Sequence, residues 1–395
     1  MSLRTRFFYA SFVSRLTLVI LIAAACASAS ENMSPLLLAV HDAPVPFMGS
    51  DGHVHLIYEL WVTNSSSSDI SIQKVEVLGD GKLLQTLDAA TVAARLQPIG
   101  QRQSVKTLSK STQALLFLNV ILPANGKAPQ ALSHHVTLHV EAAPPGRQEM
   151  SEEGGDVMVD NQPVVVIGPP LSGERYISAD SCCDATRHTR AAMAINGRLW
   201  ISQRYAVDWE QLDSGGRIYV GPRSKLESYA IFGKQVLAVA DATVVSAVND
   251  QPEQVPGEFP KDISLDQADG NNVILDLGSG RFAMYAHMQP GSVRVKAGDH
   301  VRLGQVIGLV GDSGNSIVPH LHFQVMQEPR SLSGNGLPYE IRSFEVTGKT
   351  PGTAAFDEAE EKGTPLTVTP FSPPQNVKNA MPLDQLIITF APGSR

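Results

Sequence analysis

Cysteine is nearly absent from this chain, with three in 395 residues. Cys26 sits near the N-terminus, and Cys182 and Cys183 are adjacent. No disulfide between these two can staple distant parts of a fold. They either close a vicinal bridge or stay as thiols. Positive charge is also short: 31 Lys plus Arg face 39 Asp plus Glu, for a net charge of −8. That balance argues against the basic face a nucleic-acid binder needs, so no nucleic-acid partner is expected. A basic substrate or plain solubility would both fit it. Beyond the N-terminal leader no apolar run approaches the ~20 residues that span a bilayer, so no retained transmembrane segment is expected.

The leader itself, residues 1–29, reads as a signal peptide. Arg4, Arg6 and Arg15 supply positive charge, Leu16 to Ala27 a short apolar core, and Ala27-Ser28-Ala29 small residues for cleavage. Export to the periplasm or beyond the cell is therefore expected. Cys26 follows Ala23-Ala24-Ala25 without the leucine usual in a lipoprotein box, so a lipid anchor there is not expected.

What remains is rich enough in apolar residues, 43%, for real cores, and long enough for two domains plus a tail. Residues 30–167 read as β-structure. His55 to Val62, Ile70 to Leu78, Leu115 to Leu122 and His135 to Val140 are short strands, with turns at Asn64 to Asp69 and Gly79-Asp80-Gly81. This predicts an antiparallel β-sandwich, immunoglobulin-like in arrangement, with binding or docking as its default role. His53 follows the Asp51-Gly52 turn with no acidic or glycine-rich frame around it, and His53, His55, His134, His135 and His139 all read as structural or surface residues. Polar and proline-rich breaks at Ser151 to Gly155 and Gly168-Pro169-Pro170 mark the boundary. Residues 168–345 then predict a compact antiparallel β domain with glycine turns. Its one long loop, Asn249 to Gly270, is either functional or a disordered acidic excursion. Residues 346–395 read as a Pro/Thr-rich tail, with Leu386 to Phe390 able to add a late strand.

The chemistry gathers at Gly311-Asp312-Ser313-Gly314-Asn315-Ser316-Ile317-Val318-Pro319-His320-Leu321-His322-Phe323. On a strand His320 and His322 share one face, while Leu321 and Phe323 face a core. That arrangement suits a metal ligand beside a catalytic partner. Three further stretches precede it in order: Tyr205-Ala206-Val207-Asp208-Trp209, Ala238 to Val245, and Tyr285-Ala286-His287. Together with Gly298 to Gly308, they resemble the lysostaphin-type zinc endopeptidases over roughly Arg187 to Met326. The resemblance implies export, hydrolysis of bacterial cell-wall peptides, and a bound Zn2+. By position it implies Asp208 and His322 as metal ligands. His320 and His287 fall to the pair that handles the attacking water and the developing oxyanion. Zinc with imidazole and carboxylate ligands activates water and polarises a carbonyl, and neighbouring imidazoles move the proton.

One position departs from the family. Where its His-x-Gly-x-Asp supplies a third ligand, this chain has Arg204-Tyr205-Ala206-Val207-Asp208. Arg204 has no lone pair to give and would repel a cation. His188 is the best replacement ligand, with Cys182, Cys183 and Asp184 as outside candidates. The alternative is a degenerate peptidase fold that binds cell wall or regulates another wall hydrolase. The sequence assigns no oligomeric state.

Overall fold

The computed structural model describes residues 33–391, and the expected signal peptide and Cys26 lie outside them. The first part of the chain is built from β1 (Leu36–Ala39), β2 (Phe47–Met48), β3 (Val54–Asn64), β4 (Ile70–Gly79), β5 (Lys82–Asp88), α1 (Ala89–Arg95), β6 (Leu96–Pro98), β7 (Gln113–Leu122), β8 (Ala131–Val140) and β9 (Glu149–Met158). One sheet has the order β1-β3-β7-β6, with β2 on β3, and the other has β5-β4-β8-β9. Along β8, buried and half-buried residues alternate one by one, the period of a strand with one face in the core. Leu56 and Leu116 of the first sheet meet Val75 and Val136 of the second in a shared core. The expected antiparallel sandwich is there. The sheet order does not by itself make it immunoglobulin-like.

The second part comprises β10 (Val165–Ile167), β11 (Gly173–Ala179), β12 (Met193–Ile195), β13 (Arg198–Trp200), β14 (Val207–Gln211), β15 (Gln235–Leu237), β16 (Ala242–Val248), β17 (Asn271–Gly278), β18 (Arg281–Met288), β19 (His300–Val301), β20 (Val306–Leu309), β21 (Leu321–Met326) and β22 (Gly336–Leu337). It continues through β23 (Tyr339–Lys349), α2 (Thr353–Lys362), β24 (Thr369–Ala380) and β25 (Leu386–Phe390). Most of these strands form one large sheet in the order β10-β23-β25-β11-β14-β21-β18-β17-β16-β19. Every residue of β21 is buried, so this strand is covered on both faces. Trp209, Tyr285, Phe323 and Tyr339 fill the core beneath it. The described residues from Ser34 onward form one compact unit. Among them no helix is long and apolar enough to cross a membrane.

The expected tail needs correcting. Residues from 346 onward finish β23 and supply α2, β24 and β25, and β25 lies between β23 and β11 inside the large sheet. Ile388 and Phe390 are fully buried there. Proline content misled the reading. β24 carries Pro370, Pro373 and Pro374 on exposed positions of an outer strand paired with β23, where a missing N–H is tolerated.

Between β24 and β25, Asp384 accepts a hydrogen bond from the Ser181 N–H at 3.1 Å. Burial, with the Asp180 charge nearby, pushes its carboxyl from 3.8 up to about 7. The sign follows from linkage. The unfolded state releases this proton near the ordinary carboxylate value while the folded state keeps it. The contribution to stability is therefore fully present below about 4 and is lost as pH rises through about 7. Asp384→Asn keeps the acceptor and removes the titration. Its melting temperature should fall less than wild type between pH 4 and 8, and parallel pH profiles would refute this.

Candidate metal centre and active site

The centre is assembled across three neighbouring strands. β14 pairs with β21 so that Asp208 stands directly opposite His322. On the other side of β21, Ala286 of β18 pairs with His322, which brings His287 to the same end of the sheet. His320 enters one residue before β21. Strand alternation turns both histidines of the motif toward Asp208: His322 Nδ1 is 2.8 Å and His320 Nε2 3.5 Å from Asp208 Oδ1. Leu321 and Phe323, facing the other way, are fully buried.

His188 arrives from outside the sheet. Its Nε2 lies 3.4 Å from Asp208 Oδ2, and its ring meets that of His322 edge-on at 5.0 Å. His188, Asp208 and His322 offer ligand atoms all within 4.8 Å of one another. Two imidazole nitrogens and a carboxylate oxygen are the donor set that holds zinc with a position left open.

The tautomers follow from what each Nδ1 touches, because a carbonyl oxygen can only accept. His188 Nδ1 donates to the Asp180 carbonyl at 2.9 Å, His287 Nδ1 to the Ser313 carbonyl at 2.8 Å, and His320 Nδ1 to the Val318 carbonyl at 2.8 Å. In its neutral form each of these rings would present an unprotonated Nε2 toward the site. His322 is reversed: Nε2 faces Gln324 Oε1 at 3.1 Å and Nδ1 faces Asp208.

The electrostatics agree. Burial pushes His188 down to about 4, against the pull of Asp208. Burial, reinforced by His320 and His322, also holds His287 well below its ordinary value. Burial would lower His322 as well, but its hydrogen bond and proximity to Asp208 outweigh this and raise it. Asp208 is held well below the carboxylate range because His188, His320 and His322 together overcome the effect of its burial.

His287 has a left-handed backbone, φ +63°. Such a conformation costs a non-glycine residue about 1–3 kcal/mol and persists only where its surroundings impose it. Here its N–H donates to the Asp269 carbonyl and its carbonyl accepts from Gly311 N–H, both at 3.0 Å. Asp269 belongs to the long loop 249–270. That loop is ordered against the histidine motif, with the Asp312 N–H donating to Glu253 Oε2 at 2.6 Å.

Arg204 is not at the centre. Its side chain turns to the sandwich, where Nε and Nη2 donate to Glu59 of β3 at 3.1 and 2.6 Å. Both side chains are buried. Thr189, next to His188, donates through Oγ1 to the Arg204 carbonyl at 3.3 Å. The position whose side chain has left is thus braced, through its backbone, against the segment that brings His188. The outside candidates fall elsewhere. Cys182 and Cys183 are joined in a disulfide, and Asp184 pairs with Arg95 and Arg190. Of the sandwich histidines, His134 is buried against the Tyr58 hydroxyl, and His135 and His139 pair with Glu76 and Glu149.

A cleft of about 490 Å³ opens over His188, Asp208, His287, His320 and His322. Several features of the centre and its surroundings escaped sequence reasoning. Gln324 and Glu210 are the residues two beyond His322 and Asp208 on their strands, a period that could have found them. Ser316 Oγ donates to Asp312 Oδ1 at 2.5 Å and lies 3.2 Å from His320 Nδ1, which fixes that ring further. Phe356, Asp357 and Glu360 of α2 form one wall of the cleft, and nothing marked them in a stretch read as tail.

Residues 227–334 match Peptidase family M23. That span holds His287, His320 and His322, whereas His188 and Asp208 precede it. Over 69 residues the chain is 41% identical to lysostaphin of Staphylococcus simulans, a match covering 18% of this chain and 14% of that relative. Among solved structures, the catalytic domain of a prophage-encoded M23 protein from Enterococcus faecalis, in a point-mutant form, is 20% identical with a TM-score of 0.25. It covers 41% of this chain and 90% of its own. A zinc-containing peptidase from Vibrio cholerae is 16% identical with a TM-score of 0.27, covering 77% of this chain and 86% of its own. It is over residues 227–334 that this chain is similar to peptidase family M23.

Proposed function

We propose that the protein is an exported zinc metalloendopeptidase that hydrolyses peptide bonds of bacterial cell wall. The observation that carries this reading is the convergence of His188, Asp208 and His322 on one point, beside two further imidazoles with free Nε2 atoms. His188 Nε2, Asp208 and His322 Nδ1 would hold the ion. When bound, it would supply Lewis acidity to water and to the scissile carbonyl.

The remaining work belongs to the chain. His287 and His320, their Nδ1 protons tied to backbone carbonyls, begin as acceptors at Nε2. Each is set to take a proton from the attacking water. The ring that has taken it becomes a donor, able to stabilise the oxyanion and then to protonate the leaving amine. His320 is favoured as the base because Ser316 and Val318 fix its orientation and Asp208 stabilises the imidazolium it becomes.

Zinc-supplemented protein incubated with purified peptidoglycan should release cut peptides, and His320→Ala should lower that rate by about 100-fold or more. Peptidoglycan binding without any cut peptide would favour the second reading, a wall-binding or regulatory module, for which Arg204 in place of a ligand is the motivating observation.

A further inference from the structure

The cleft holds more negative charge than the metal triad uses. Asp180, Asp208, Glu210, Asp357 and Glu360 line it, against Arg102 and Arg187. Asp208 is engaged by three histidines. Arg187 is held between Asp180 at 2.6 Å and Asp357 at 2.7 Å, and Arg102 is exposed. Glu210 and Glu360 are neighbours, and burial together with the Glu360 charge holds the Glu210 carboxyl well above its ordinary value. Glu210 is only 3% exposed, and its buried Oε2 meets no hydrogen-bond donor among the described residues. Two carboxyls so close in a buried site must either keep a proton between them or meet a cationic donor from outside.

The chemistry of a fitting donor can be read from the walls. Glu210 shares the face of β14 that carries Asp208, about 7 Å further along at strand spacing. Glu210 is therefore close to the metal triad, and Glu360 lines the same cleft. Phe356, Ile317 and Val318 line the same cleft with carbon. Carbon walls ending in two carboxyls match an aliphatic stem ending in an ammonium, whose three N–H donors two carboxylates can share. A second metal ion is a poorer match. Among the described residues only His188, Asp208 and His322 gather as three ligands.

We propose that Glu210 and Glu360 form a specificity subsite for a lysine-like aliphatic ammonium side chain of the substrate, beside the scissile bond. The inference rests on the peptidase reading for its place next to that bond, and it makes α2, outside the family match, a determinant of substrate choice.

The test is equilibrium binding to the zinc-loaded full chain carrying His320→Ala, so that turnover does not intervene. The probes are glycine-alanine heptapeptides with lysine or Nε-acetyl-lysine placed at each position in turn. At one position the lysine peptide should bind about tenfold tighter than its acetylated partner. Glu210→Gln and Glu360→Gln, each added to that chain, should erase the difference. Equal binding of both peptides at every position, or no binding of either, overturns the subsite, as does discrimination that survives both substitutions. Loss of a second zinc equivalent on Glu360→Gln would reassign the carboxyls to a metal and also overturn it. Failure of wild type to cut peptidoglycan counts against the peptidase reading alone, because the binding comparison is independent of turnover.

Discussion

Glu59→Ala should lower the unfolding free energy by about 3–5 kcal/mol, the range for removing one partner of a buried ion pair. The cost is that of a stranded guanidinium more than of a lost attraction. Arg204 is 5% exposed and Glu59 4%, so neither can turn to water once its partner is gone. Their two hydrogen bonds, at 3.1 and 2.6 Å, satisfy the guanidinium along one edge. Replacing both by carbon, as in Glu59→Leu with Arg204→Met, should restore most of the loss, since a buried pair gains little over well-packed hydrophobic residues of similar volume. Denaturant titration of the two variants decides it. A Glu59→Ala cost below about 1 kcal/mol would mean that the pair is solvated. Arg204→His should likewise destabilise, by stranding Glu59, and should not tighten zinc binding, because position 204 points at the sandwich.

His188→Ala should weaken zinc binding by more than about 100-fold, beyond the 10–100-fold typical of losing an outer-shell partner. His188 supplies one of three clustered donors, and its Nδ1–H is already fixed on the Asp180 carbonyl, so the ring is aligned before any ion arrives. Competition against a chromophoric chelator measures this directly. Wild-type affinity in the variant would remove His188 from the centre and return the third-ligand question to the chain. A matched His53→Ala or His139→Ala variant, altered in the sandwich, should bind zinc as wild type does.

Much of the centre was legible because strands impose a period. The His-x-His spacing put two imidazoles on one face, and the order of Asp208, His287, His320 and His322 carried the family pattern. The route taken by Arg204 was not legible. Its partner, Glu59, lies 145 positions away in another sheet, and only the packing of sandwich against site brings them together. His188 could be named as a candidate but not placed, because its approach depends on the Thr189 contact with the backbone of Arg204. The C-terminal stretch was misread for a compositional reason. Proline and threonine signal a loose chain only when no neighbouring strand is ready to accept them, and β23 is such a neighbour.

The insertion of β25 between β23 and β11 ties the centre to the order of synthesis. β11 pairs with β14, the strand of Asp208, on one edge and with β25 on the other. All five histidine and aspartate side chains of the site have been made by residue 322, yet β11 stays half-paired until residues 386–390 exist. The sandwich's last strand ends at Met158 and its core at Val159, so it can close early. The sheet that shapes the cleft closes last, so a chain still being made holds all five side chains without the wall that aligns them.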